Sequence, residues 1–189
     1  LKSNIDVKLL DAKSHIKTKN LNNKDIVDLE LSSENLLKQV SNKKIKVYMM
    51  SGFIASDEKN IIKTLGRGGS DYTASLVASF LNSDILEIWT DVNGMYTANP
   101  SIVNQAKPIP KLSYQEAMEL SHFGAKVLYP PTIQPLIKKK IPVIIKNTFD
   151  NKSPGTIISS DSITEEKNVV KGISHIDNVS LINIEGSGM

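Results

Sequence analysis

Residues 66–71, Gly66-Arg67-Gly68-Gly69-Ser70-Asp71, gather three glycines, a guanidinium, a hydroxyl and a carboxylate into one short run. Thr64-Leu65 precede it, and Tyr72-Thr73-Ala74 follow it where an apolar helical pattern begins. Glycines let a backbone close on a ligand and adopt positive φ. The unpaired amides of a helix start favour an anion. Arg67 suits a carboxylate or phosphate, which it grips through two parallel hydrogen bonds. Asp71 adds the opposite sign, which a pure anion site does not need. The run therefore fits a ligand carrying both charges, or a metal–phosphate. The alternative is a tight turn whose glycines serve backbone geometry alone and whose charges turn to solvent.

Two further segments carry chemistry. In Trp89-Thr90-Asp91-Val92-Asn93-Gly94-Met95-Tyr96, Thr90 and Asp91 offer a hydroxyl and a carboxylate to a ribose or a base edge, and Tyr96 offers a flat surface. The same residues also fit an ordinary turn in which Asp91 and Asn93 bond their own backbone. In Phe123-Gly124-Ala125-Lys126-Val127-Leu128, one lysine among small and apolar residues is either a neutraliser of phosphate charge or a surface lysine. His15, His122 and His175 share no ligand spacing, so no protein-built metal site is expected. A magnesium ion arriving with phosphates needs few protein oxygens. Ser70 has no nearby histidine, which argues against a hydrolase triad.

The bulk composition sets the frame for these groups. The 189 residues are 40% hydrophobic and 23% charged, ordinary values for a globular domain, with room for the start of a second. A net charge of +3, spread over scattered lysines, is no nucleic-acid footprint. The absence of cysteine excludes a disulfide scaffold, a thiolate zinc site and a cysteine nucleophile. No apolar run reaches bilayer length, so no membrane partner is expected. Leu1-Lys2-Ser3-Asn4 is neither a signal peptide nor a natural start, and Glu185-Gly186-Ser187-Gly188-Met189 stops in a loop. Both ends read as cut from a longer chain.

The elements that must hold the chemistry follow from periodicity. Residues 1–45 suggest a strand and a short helix. Ile45–Met50 reads as a strand ended by Ser51-Gly52, a turn or phosphate-approach signal, and 71–82 reads as a largely buried helix. Ile85–Thr90 is the next strand, so strand, glycine loop, helix and strand imply a parallel α/β unit. Thr90, Asp91 and the glycine loop then fall beyond strand carboxyl ends, where such sheets bind ligands. Ser113 and Glu116 form a capping-box pattern for a helix to about residue 121. A helix over 132–140 ends in Lys138-Lys139-Lys140, which suits a helix C-terminus. Strands follow at 141–146 and 155–158. The polar stretch 161–168 reads as a linker, and Val169–Ile173 and Val179–Ile184 alternate like two strands of a new domain.

TLGRGGSDYTA at 64–74, IWTDVNGMYTANP at 88–100, SYQEAMELSHFGAKVLYP at 113–130 and IPVIIKNTFDNKSPGTII at 141–158 together resemble the aspartate kinases of the amino-acid kinase family. The resemblance spans residues 45–189 and is most similar to the branch fused to homoserine dehydrogenase. It implies a three-layer α/β/α sandwich around a mainly parallel sheet, partial here, over 1–160. A linker at 161–168 and a truncated ACT-type α+β regulatory domain at 169–189 would follow. The implied reaction is ATP plus L-aspartate giving 4-phospho-L-aspartate and ADP, at the head of lysine, threonine and methionine synthesis. By motif position, Arg67 would bind a substrate carboxylate, with Gly68, Gly69 and Ser70 also on aspartate. Asp71 would organise the groups around the transferring phosphoryl. Thr90, Asp91 and Tyr96 would hold the nucleotide, and Lys126 would lie on its phosphates. Mg-ATP would be the substrate. The resemblance further implies a cytoplasmic homo-oligomer, feedback-inhibited by threonine or lysine.

Three departures from the family pattern stand out. The family's KFGG segment, which binds phosphates, is absent from this sequence, so the chain alone is expected to have little or no kinase activity. Ser101 stands where the family commonly has an arginine near the nucleotide. The family's VLHPRT reads Val127-Leu128-Tyr129-Pro130-Pro131-Thr132. A kinase for glutamate or acetylglutamate, or a regulatory remnant without catalysis, are the alternative readings.

Overall fold

A computed structural model describes residues 5–42, 44–122, 128–160, 170–180 and 182–183. Strand β1 (Val7–Leu10) leads to the short helix α1 (Ala12–His15), the hairpin β2 (Thr18–Leu21) and β3 (Lys24–Val27), and helix α2 (Leu29–Val40). Asn22 and Asn23 both adopt positive φ, as a two-residue hairpin turn demands. Asp28 caps α2 by accepting from the Leu31 amide. Strand β4 (Val47–Met50) follows, then the hairpin β5 (Ile54–Ser56) and β6 (Ile62–Thr64), in a polar stretch whose sequence carries no strand alternation. Helix α3 (Gly69–Leu81), β7 (Leu86–Thr90), β8 (Lys111–Ser113) and α4 (Tyr114–His122) come next. A 3-10 turn (Pro130–Ile133), α5 (Gln134–Ile137), β9 (Val143–Asn147) and β10 (Thr156–Ser159) complete the described elements.

The largest sheet has the order β7-β9-β10-β8; β7 and β9 run parallel, as do β10 and β8, while β9 and β10 are antiparallel. Its inner face carries Ile88, Leu112, Val143, Ile145 and Ile158 against Ala117, Ile133 and Leu136. Each such fully buried aliphatic side chain contributes about 1.5–3 kcal/mol. The capping box forms as the sequence predicts: the Glu116 carboxylate accepts from the Ser113 amide at 2.7 Å, and the Ser113 hydroxyl accepts from the Glu116 amide at 3.1 Å.

β1 and β4 pair in parallel as a separate two-stranded ribbon, with Val7 opposite Val47 and Leu9 opposite Met49. These four side chains face solvent, Leu9 at 78% exposure. β4 and β7, expected as neighbours of one parallel unit, are not paired with each other. Instead they flank a hollow of about 320 Å³, whose lining includes Tyr48, Met50, Leu86 and residues of α3.

The helix expected over 132–140 is shorter: Pro135, which has no amide to donate, sits in the first turn of α5, and a left-handed Lys140 stops the chain from continuing, so only Gln134–Ile137 is α-helical after the 3-10 turn. The lysine cluster serves another helix. Lys139 Nζ donates to the Ser79 carbonyl and to Asn82 Oδ1 at 2.5 and 2.6 Å, closing the C-terminus of α3.

The linker at 161–168 lies outside the described residues. Of the two strands expected at 169–173 and 179–184, none forms among the described residues. A strand pattern needs a partner strand, and this stretch has found a helix instead. Lys171 pairs with Glu116 at 2.7 Å, the Ile173 amide donates to the Thr97 carbonyl at 2.8 Å, and Gly172 lies against Leu120. Among the described residues, no helix is long and apolar enough to cross a membrane.

Candidate functional site

The glycine run leaves β6, turns through Gly66 and Gly68 at φ 71° and 68°, and enters α3. Gly68 occupies the N-cap without a side-chain bond; the Gly69 amide turns back to the Gly66 carbonyl at 3.0 Å, and among the described residues the amides of Ser70 and Asp71 are left for a ligand or water. A Cβ at Gly68 would stand 2.8 Å from the Tyr129 Cβ and 2.9 Å from the Thr132 Cγ2, so only glycine lets the 3-10 turn approach this loop. On the other side, Gly52 after β4 brings the backbone against Ser70. The Thr73 hydroxyl donates to the Gly69 carbonyl at 2.8 Å and accepts from the Phe53 amide at 3.1 Å, fixing the loop to the segment after β4.

Arg67 is the only arginine in the sequence. It is exposed, and among the described residues it makes no hydrogen bond or ion pair. Among the described residues its guanidinium carbon lies over a ring, 5.4 Å from the centroid of Tyr129. Arg67 and Tyr129 line a hollow of about 610 Å³, walled by residues including Leu65, Tyr72, Leu76 and Phe80. Ser70 faces the other hollow, between β4 and β7. The loop therefore stands between two concavities.

Asp71, one residue further on, is half-buried and has no hydrogen bond or ion pair among the described residues. Burial pushes its carboxyl above the ordinary carboxylate value. The folded state thus holds the Asp71 proton more tightly than the unfolded chain, so stability falls as pH rises through the carboxylate range and the cost is complete at neutral pH. Asp71→Asn is therefore expected to melt higher than wild type near neutrality, with the difference shrinking as pH falls toward about 4. Equal melting temperatures across that range would show that the carboxylate is not held at a cost.

The second cluster sits at the carboxyl ends of β7 and β9. The Thr90 hydroxyl donates to Asp91 Oδ1 at 3.1 Å, and the Thr90 carbonyl accepts from the Thr148 amide at 2.8 Å. Asn147 Nδ2 donates to Asn93 Oδ1 at 2.6 Å. Asp91 and Asn93 thus bond neighbouring side chains, and the self-closing turn weighed from sequence does not form. Gly94 reaches φ 114°, and the Met95 amide that follows donates to the buried Thr156 hydroxyl at 2.8 Å; that hydroxyl donates onward to the Ile109 carbonyl at 2.7 Å. Tyr96 is half-buried and bridges antiparallel to Pro108.

Lys126 lies outside the described residues. Ser101, in the position of the expected arginine, is tied to Asn99 Oδ1 through its amide and hydroxyl at 3.0 and 2.7 Å. Among the described residues, no group of three or more His, Cys, Asp or Glu converges as a metal site. The sequence reading missed three supports. Tyr129 faces the loop across the hollow, and Asn147 and Thr156 tie the Asp91–Met95 turn to β9 and β10. Asn147 could have been suspected as a polar residue ending an apolar strand; the other two are visible only in three dimensions.

Residues 2–147 match the profile of the amino acid kinase family. This chain belongs to that family. The bifunctional aspartokinase/homoserine dehydrogenase of Haemophilus influenzae is 49% identical over 146 residues, covering 77% of this chain and 18% of the relative. The enzyme of the same description from Buchnera aphidicola is 44% identical over 160 residues, covering 85% of this chain and 19% of the relative. The crystal structure of Escherichia coli aspartokinase III with aspartate and ADP superposes with a TM-score of 0.76 at 35% identity, covering 85% of this chain and 36% of that one. The amino acid kinase chain described here thus spans less than a fifth of these two curated relatives. Its α/β class, with three parallel strand pairs, is the class read from the sequence.

Proposed function

We propose that this chain supplies the glycine-loop and nucleotide-binding portion of an aspartate kinase, with L-aspartate and Mg-ATP as substrates. The observation that carries the reading is a lone arginine whose donors are unspent among the described residues, four residues from a half-buried carboxylate that has no partner among them. L-Aspartate presents two carboxylates and one ammonium, the complementary set of charges. Arg67 grips one substrate carboxylate, and the amide of Ser70, which unlike that of Gly69 is not spent on the Gly66 carbonyl, adds a donor at the start of α3. Asp71 holds a cationic group beside the reacting carboxylate, either the substrate ammonium or the side chain of Lys126. Thr90, Asp91 and Tyr96 hold the nucleoside, and Lys126 neutralises its phosphates.

The other substrate carboxylate is the nucleophile. One of its oxygens forms the bond to the γ-phosphorus while the bond from that phosphorus to the β–γ bridging oxygen breaks, and ADP leaves. No protein nucleophile is needed, and positioning with charge neutralisation provides the catalysis. On the same reading, residues 1–160 are kinase domain, 161–168 a linker and 169–189 the start of an ACT-type domain. The parent enzyme is then a cytoplasmic, feedback-regulated oligomer.

The test uses two built-in reporters. Phenylglyoxal attacks arginine, and this chain has one; Trp89 is the sole tryptophan and adjoins Thr90. L-Aspartate is expected to slow the modification of Arg67, followed by intact mass, more than L-glutamate does. Mg-ATP is expected to change Trp89 emission. Equal protection by both amino acids would move the reading to another acidic substrate, and no response to either ligand would remove it.

A further inference from the structure

We infer that Tyr129 is a positioning residue for Arg67: its ring sets the plane of the guanidinium and leaves the carboxylate-binding edge free. The inference rests on the aspartate reading of the glycine loop and goes beyond it, because Tyr129 itself touches no substrate. An arginine on a flexible glycine loop has many rotamers, and binding a carboxylate must otherwise freeze them. A guanidinium is planar and keeps its donors in that plane, so stacking on a ring costs none of them. The guanidinium carbon lies over the Tyr129 ring, 5.4 Å from its centroid and within cation–π reach, and among the described residues no hydrogen bond or ion pair engages its donors.

The ring is itself held. Tyr129 precedes two prolines, which restrict its backbone to the extended region, and it sits there at φ −87° and ψ 117°. Its carbonyl accepts from the Thr132 amide at 2.9 Å and from the Thr132 hydroxyl at 2.5 Å. Gly68 removes the side chain that would push Tyr129 away, since a Cβ there would stand 2.8 Å from the Tyr129 Cβ. The rigid Tyr129–Thr132 segment and the bare loop backbone therefore fit as two halves of one clamp. Position 129 is also one of those at which this chain departs from the pattern of the kinases it resembles. The stack is thus a way for this chain to hold the arginine.

The experiment compares wild type with Tyr129→Phe and Tyr129→Leu. The sole arginine gives one Nε–Hε resonance, shifted by any ring lying over it. Wild type and Tyr129→Phe are expected to share that shift and to bind L-aspartate within about twofold of each other; Tyr129→Leu is expected to lose the shift and to bind roughly two- to fivefold more weakly. Rescue by phenylalanine excludes a need for the hydroxyl, and an unchanged melting temperature excludes loss of fold. A retained shift in Tyr129→Leu overturns the inference, as does a lost shift with unchanged affinity. Arg67→Lys in the same titration separates the two readings. If it binds L-aspartate as wild type does, the substrate assignment of Arg67 falls and the positioning role falls with it, even though the wild-type spectrum still shows the ring over Arg67.

Discussion

Replacing Arg67 with lysine is expected to weaken L-aspartate binding on the order of tenfold to a hundredfold while leaving the Mg-ATP response of Trp89 intact. The charge is kept, so the loss isolates geometry. A guanidinium offers two parallel donors to a carboxylate, whereas an ammonium offers a point charge that cannot reproduce the pair. Lysine also forfeits the planar guanidinium that lies over the Tyr129 ring. Arg67 is exposed and makes no hydrogen bond or ion pair among the described residues, so the fold has little to lose. Calorimetric titration with L-aspartate, beside a thermal melt, makes the check. Unaltered affinity would mean that the carboxylate is held elsewhere.

The second large effect concerns stability. Gly94→Ala is expected to destabilise the chain by roughly 3–5 kcal/mol, from strained backbone and overpacking together. At φ 114° an L side chain is strained wherever it points. The added methyl would also stand 2.3 Å from the Thr156 hydroxyl and 2.9 Å from its amide nitrogen. That hydroxyl is buried and bonded to Met95 and Ile109, so it cannot move without abandoning a buried amide and a buried carbonyl. Gly66→Ala is the control: its φ is also positive, but a Cβ there meets nothing within 4 Å, so its loss should be about 1–2 kcal/mol. Denaturant titration of the two variants would separate backbone strain from crowding. Equal losses would show that the Gly94 turn has room to shift.

Which parts of this arrangement were legible in the sequence depends on how local their causes are. Helix α4 was readable because Ser113 and Glu116 close their cap within three residues. Helix α3 and strands β4, β7, β9 and β10 followed from apolar spacing within single segments. The glycine loop was readable because its unusual residues are adjacent. The lysine cluster at 138–140 was misread because its partner, the end of α3, lies nearly sixty residues away. The β5–β6 hairpin was missed because Ile54–Thr64 carries charged and polar residues at its centre, and its pairing comes from turn geometry. The stretch after residue 169 alternates correctly for strands, yet alternation specifies only a face; among the described residues its Val170 and Ile173 side chains stay exposed, and it meets α4 and the Thr97 segment through Lys171 and the Ile173 amide. At the site, residue types were visible, but which hollow each would face was not. Arg67 and Ser70 are three residues apart and line different cavities.

The β1–β4 ribbon has a consequence for anyone handling the protein. Parallel strands normally sit covered on both faces, whereas Val7, Leu9, Val47 and Met49 form an apolar ladder open to water. Among the described residues no further strand pairs with its edges, whose amides and carbonyls lie beside that ladder, the combination that seeds strand addition between molecules. Concentration, not heat, should therefore set the limit on a purified sample. Turbidity is expected to begin from the folded state, well below the melting temperature, and charged substitutions at Leu9 and Met49 should delay it while leaving the Arg67 and Trp89 responses as they were.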